Sequence, residues 1–478
     1  MRPPPTAFIL LSLFVSACGG AGDDGPIAVS VIGRQPELVD PNRQALSAPS
    51  AALLLATAQG LVRFDGDGQI EPGLAIRWAV SDDGLYYTFR LPDDAAINAE
   101  KVARLLRAMI APGSQNPVKP LLGTVDEIVA VTPEVVEIRL HAPQPRLLEL
   151  FAQPEMALVT NGSGTGPFAI AIRDRGALVL NLMRPEQEAV DAEEDGRSDR
   201  LRLRGERAAR AIARFQVGNA RLVTGGSFAD LPIVQVARPP AAALRFDPVH
   251  GLFGLAVVER EGFLGNVDHR RALAMALDRD RIAAAFATPA WRTALTLLPS
   301  GGTELATPAA PASVDVSLPL RRQMAARLIA EAQERPRLRV ALPSGPGARI
   351  LFMRLRSDWK AIGVDVERVP LEADADLRLI DEVAPIDSAA WYLGRFTCAA
   401  NPVCSETADI AIEAARTAPS IEARMRLFAD ADARLAEAVP YIPIAQPLRW
   451  SLVAPRLDGF RENARGIHPL PHLGRAGR

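Results

Sequence analysis

The chain has 478 residues, 48% hydrophobic and 23% charged, a globular composition with room for two or three domains. Its formal net charge of -2 excludes a strong electrostatic pull towards nucleic acid or an anionic membrane surface. No internal run reaches the roughly 18 apolar residues that a spanning helix requires.

The N-terminus reads as an address. Arg2 supplies a weak positive start and Ala7 to Ala17 a short apolar run. Val15-Ser16-Ala17-Cys18 resembles a bacterial lipobox. That resemblance makes residues 1–17 a signal peptide and Cys18 a diacylated mature N-terminus. Residues 18–25, rich in glycine, are then a flexible tether to the cell envelope.

Residues 27–32 form a strand, and 46–57 a helix with Ser47 and Ser50 as caps. The stretch 58–91 reads as three short strands, Leu61–Phe64, Leu74–Val80 and Leu85–Leu91. Asp65-Gly66-Asp67-Gly68 and Ser81-Asp82-Asp83-Gly84 are turn signals, and Glu71-Pro72-Gly73 breaks any helix between them. Residues 98–111 place Val102, Leu105, Leu106, Met109 and Ile110 in one apolar stripe behind the N-cap Asn98. Residues 126–140 alternate as two strands around Thr132-Pro133-Glu134, and a short helix follows. The Gly-rich run 161–168 fits no phosphate loop, so its glycines serve turns and close backbone crossings. The charged segment 185–204 reads as an exposed loop and 205–217 as a helix.

Residues 251–258 are a buried strand, after which Asp268 and Asp278 cap successive helices. Ser317 starts a helix with Leu320, Met324 and Leu328 on one face. Residues 337–342, 347–362 and 364–370 make a strand–helix–strand unit whose helix stops at Gly363, and its strands are expected to pair in parallel. Ser405 and Ser420 cap two further helices, 405–417 and 420–438. Export places Cys398 and Cys404 in an oxidising compartment, and the Asn401-Pro402 turn between them favours a local disulfide over a zinc site.

No catalytic signature is present: the chain contains neither GxSxG nor HExxH. Five histidines are scattered, and Pro469 and Pro471 preclude a helical ligand pair from His468 and His472. Neither a catalytic residue, a metal site nor a cofactor is indicated.

Three segments carry a family resemblance: GLVRFDGDGQIEPGLAIRWAVSDDGLYYTFRL within 58–91, FLGNVDHRRALAMALDRDRIAAAF at 263–286, and SIEARMRLFADADARLAEAVPYIPIAQPLRW at 420–450. Together they resemble the dipeptide/oligopeptide/nickel class (family 5) of solute-binding proteins that serve ABC importers. The resemblance implies an α/β fold of the two-lobed periplasmic-binding-protein type (class II, peptide-binding subclass) with an extra α/β domain. It implies a discontinuous first lobe (26–57, 160–252 and 445–478), the extra domain at 58–159, and a second lobe at 253–444. It also implies a monomer that takes a peptide or small solute, closes on it and passes it to a permease in the inner membrane. Nucleic acid is not a partner on this reading.

In that family an acidic residue in a "W..DYPDP"-like run pairs with the ligand's amine. The full motif is missing here; Asp387 is the best positional match and Asp381 the second. Trp391 and Tyr392 either wall the cleft or fill the core. Arg34, with Gln35, follows the first strand, where its guanidinium meets either a ligand carboxylate or a surface acid. Two other readings stay open: a sensor or envelope scaffold of the same fold without an importer, and an envelope hydrolase.

Overall fold

The computed structural model describes residues 25–95, 97–160, 163–174, 176–183, 200–301, 307–332 and 336–475. Cys18, the tether before Gly25 and most of the charged segment 185–204 lie outside the described residues. The part of that segment that is described, 200–204, is not a loop: it opens the strand Arg200–Glu206. There Leu201 and Leu203 are fully buried while the intervening arginines face the other way, a period-2 pattern hidden by the charge count.

Three sheets organise the molecule. The first has seven strands, in the order 168–174, 177–182, 200–206, 27–32, 222–227, 449–453 and 244–246. Its centre is parallel: Ile27–Ile32, an alternation of buried Ile27, Val29 and Val31, pairs in parallel with both 200–206 and 222–227. The second has five strands, in the order 365–370, 337–342, 377–383, 251–257 and 441–445. The strand–helix–strand unit forms here with its strands parallel, and Gly363 ends its helix in the left-handed region at φ +88°. Gly251–Val257 is buried along its whole length because it pairs on both sides, with 377–383 and 441–445.

The third sheet is antiparallel, in the order 77–80, 86–90, 135–140 and 125–132. The helix Ala99–Ile110 lays Val102, Leu106 and Met109 into its core, and Asn98 caps that helix by accepting from the Lys101 amide. The stretch 58–91 is not one meander. Val62–Phe64 pairs with Ile70–Pro72 in a separate two-stranded ribbon, and only 77–80 and 86–90 join the third sheet. Pro72 is accommodated at the end of a strand with one partner, where its missing N–H breaks no second ladder.

Two short crossings link the first and second sheets: 247–250, between strands 244–246 and 251–257, and 446–448, between 441–445 and 449–453. The strands entering and leaving pair on each side of the crossing, 244–246 with 449–453 and 251–257 with 441–445. One hydrophobic cluster runs from Ile212, Val223 and Trp450 of the first sheet's layer to Phe253, Trp291 and Trp359 of the second. Phe228 sits at its middle, edge-on to Phe253 at 4.8 Å and stacked on Trp291.

The helix caps follow local chemistry with one exchange. Ser405, Ser420 and Asp278 accept from the amide three residues on. Asp268 is not a cap: Asn266 is the N-cap, and Asp268 lies in the first turn, where its charge suits the helix dipole. Ser317 occupies the N-cap position of Leu318–Ala330 without a side-chain bond. The expected apolar face of that helix is not its buried face, since Leu320 and Met324 are exposed while Ala325 and Ile329 are buried. The Cys398 and Cys404 sulfurs are bonded, closing the loop before the helix Glu406–Arg416.

Candidate functional site

The crossings bring remote segments together. Loop 384–388 leads from strand Leu377–Val383 into the helix Ala389–Gly394. Its Ile386 is fully buried in the third sheet's core, and Gln153 donates to the Pro385 carbonyl at 2.9 Å. The loop is therefore fixed from two sides, which sets the position of Asp387. That carboxylate is 30% exposed and stands 3.9 Å from the Arg465 guanidinium. Arg465, only 10% exposed, also donates to Glu149 on the short helix Leu147–Phe151, and Glu149 is held by Arg146 at 2.8 Å.

His250, on the first crossing, completes the cluster. Its carbonyl accepts from the Ala384 amide at 2.9 Å. Burial lowers its pKa, and the positive fields of Arg292 and Arg465 act in the same direction against Asp387, so the imidazole is neutral at neutral pH. On the second crossing Gln446 accepts from Gly251 and from the Trp291 indole, and donates its own amide to the Arg292 carbonyl. Two guanidiniums, Arg146 and Arg465, thus meet two carboxylates, Glu149 and Asp387, while the field of Arg292 reaches His250.

Arg465 is held in place by Asn463, which is 2% exposed. The Asn463 amide group donates to Ile467 and Gly66 carbonyls, and its Oδ1 accepts from the Arg465 amide at 3.0 Å. His468 and His472 reach different acids, Asp247 at 3.1 Å and Glu71 at 2.8 Å. Among the described residues no group of three or more His, Cys, Asp and Glu is arranged to hold a metal ion.

The other expected site residues lie as follows. Asp381 is paired with Arg449 at 2.8 Å, a contact between the second and first sheets beside the crossing. Trp391 and Tyr392 are both core residues of the cluster around Phe396 and Phe428. The Tyr392 hydroxyl has no hydrogen-bond partner among the described residues, and burial together with the nearby Asp387 raises its pKa. Arg34 and Gln35 are exposed after the first strand, with Gln35 reaching towards the turn at Gly176. Among the described residues no contact joins them to Asp387. Arg465, Glu149, Arg146, His250 and Arg292 escaped sequence reading because four separate segments supply them and none carries a local motif.

Chemically, this arrangement offers paired charges and backbone groups at the double crossing between the two sheets. It presents no hydroxyl or thiol nucleophile hydrogen-bonded to a base.

Residues 69–395 match the family model described as bacterial extracellular solute-binding proteins, family 5, middle section. Among curated proteins none matches the chain in sequence. In fold the chain is similar to a Haemophilus influenzae OppA in complex with RPPGFSPFR, at a TM-score of 0.82 and 16% identity over 95% of this chain and 100% of that one. It is equally similar to the Escherichia coli murein tripeptide binding protein MppA, at 0.82 and 19% identity over 95% and 99%. An MppA in an unliganded open form overlays less well, at 0.67 and 18% identity over 95% and 98%. The fold is thus the two-lobed type with an added α/β domain, and the chain belongs to the family 5 bacterial extracellular solute-binding proteins.

Proposed function

We propose that the chain is the extracytoplasmic binding component of an ABC importer, captures a peptide or similar small solute by lobe closure, and delivers it to an inner-membrane permease. In this reading it is a monomeric lipoprotein held at the periplasmic or cell-envelope membrane through Cys18. The first lobe comprises 26–57, 160–252 and 445–478, the extra domain 58–159, and the second lobe 253–444.

The observation that carries this reading is the ionisable cluster set at a double crossing between two sheets. A ligand that touches both lobes only when they approach shifts the population towards the closed form. The poorer overlay on the open form of MppA supports a rearrangement of that kind. The peptide in the Haemophilus OppA complex supports a ligand of peptide size.

Asp387 is the residue proposed to meet a ligand amine, with Trp391 and Tyr392 behind it as supporting core. Its partial pairing with Arg465 means that an incoming amine must compete with a guanidinium already in place. Arg34 and Gln35 are proposed as first-lobe contacts made on closure.

The test is native mass spectrometry of the mature protein from its own envelope, followed by denaturation to release what it holds. A ladder of short peptides, on a protein whose mass includes the Cys18 lipid, is the expected result. A single non-peptide mass would replace the peptide by another solute. An empty protein whose melting does not respond to peptide pools would overturn the importer reading.

A further inference from the structure

A cavity of about 580 Å³, within the range of small-molecule sites, lies inside the second lobe. None of Glu149, His250, Asp387 or Arg465 lines it. Its walls come from the helices Val267–Ala276, Leu318–Ala330 and Ile421–Ala438, the strand Tyr441–Ala445, and the segments 293–297 and 309–316.

The body of the cavity is apolar, formed by Met275, Leu277, Leu297 and Val439. Its rim leaves Leu295, Val314 and Met324 exposed, at 39%, 45% and 41%. Met324 belongs to the apolar stripe that the helix Leu318–Ala330 does not bury, so the cavity gives that stripe a place to be used.

Three arginines line this space; Arg271 is paired with Asp268 at 2.9 Å, which leaves Arg279 and Arg321. Arg279 is 7% exposed and donates to the Pro443 and Ala274 carbonyls at 2.8 and 3.2 Å. Arg321 carries a buried Nε without a hydrogen-bond partner. Neither has a carboxylate within salt-bridge distance among the described residues. Burial, helped by the neighbouring Arg321, pushes the Arg279 pKa down to about 10 against the longer-range fields of Asp280 and Asp358, so the group stays charged at neutral pH with no carboxylate in contact among the described residues. Of the acids on the lining, Asp278 is committed to capping the helix Arg279–Ala284, and Asp280 is exposed. A buried cation without a counter-charge is costly, and an anion arriving with an apolar body removes that cost while covering the rim.

We propose that this cavity is a second ligand site, for a small amphiphile with an apolar body and one carboxylate head that meets Arg279 and Arg321. The site does not depend on what the hinge cluster binds.

The test is calorimetric titration of the full mature chain with decanoate and, separately, with uncharged decanol. Decanoate should bind saturably at one per chain, and decanol at least tenfold more weakly. Arg321→Gln should weaken decanoate at least tenfold. Ala436→Trp, at an exposed helical position on the lining, should block the cavity without disturbing the fold. Peptide-induced melting shifts should be the same in both variants as in the parent. The proposal is overturned by absent or non-saturable decanoate binding, by equal binding of decanol, or by either variant binding decanoate as the parent does.

Discussion

Arg465 shows how one side chain couples separate parts of the chain, because it meets Glu149 on the short helix Leu147–Phe151 and Asp387 in the loop after strand Leu377–Val383 at once. Arg465→Met should cost about 2 kcal/mol in urea unfolding, the worth of hydrogen bonds to charged partners. It should also raise the pKa of His250, which a proton NMR titration reads directly, because one of the positive fields acting on that ring disappears. Asp432 gives a different pH signature. It is 1% exposed, accepts from the Ala309 amide at 2.7 Å, and burial raises its pKa to about 6 from 3.8. A carboxyl whose folded pKa is raised favours the fold when protonated, so its contribution is full below about pH 4 and is lost as pH rises through 6. Asp432→Asn should therefore stabilise the protein at pH 7, by on the order of 2 kcal/mol, and the gain should vanish by pH 4. Thermal melts of parent and variant across that range check the sign. Residues that act on their own neighbours, such as the caps Asn98, Asp278 and Ser420, were legible in sequence. The residues around Asp387 were not, since charge partners 78 to 316 positions apart leave no pattern.

Elements were legible wherever apolar residues hold a regular period. The strand Ile27–Ile32 and the helix Ala99–Ile110 fall within a residue of their expected ends for that reason. The stretch 58–91 was read as three strands because Glu71-Pro72 looked like a break. Its partner Val62–Phe64 supplies the pairing that no local rule can supply. Gly164 and Gly166 match the expectation of a close crossing. A Cβ on either would stand 2.4 Å from Ala58 atoms at the end of the first helix. Two element-scale changes are informative. Ser420→Ala should cost the helix Ile421–Ala438 about 1 kcal/mol, seen as a lower urea midpoint with an unchanged slope. Removing the Cys398–Cys404 link by double serine substitution should cost about 2 kcal/mol, measured the same way under oxidising conditions.

On the scale of the molecule, the proposed lobe movement would act on the Arg449–Asp381 pair, because its two members sit on different sheets beside the crossing. Arg449→Ala should enlarge the radius of gyration of the ligand-free protein in solution scattering and weaken ligand binding several-fold. Ligand should still restore the compact dimensions at saturation. If the variant scatters as the parent does, the pair does not hold the lobes. The interleaving of distant segments in one sheet was implied only by the family resemblance. Hydrophobic period fixes which face of a strand is buried, not which strand lies beside it.

That interleaving constrains how the protein is made. Strand Arg449–Val453 lies between Leu222–Ser227 and Leu244–Phe246, and the loop around Asn463 touches Gly66. The first sheet therefore stays one strand short until residue 453 has been made. Until then the bare flank of Leu222–Ser227 is an open ladder, offered to any extended chain nearby. A chain cut short near residue 440 should therefore be cleared by proteases rather than persist as a partial fold.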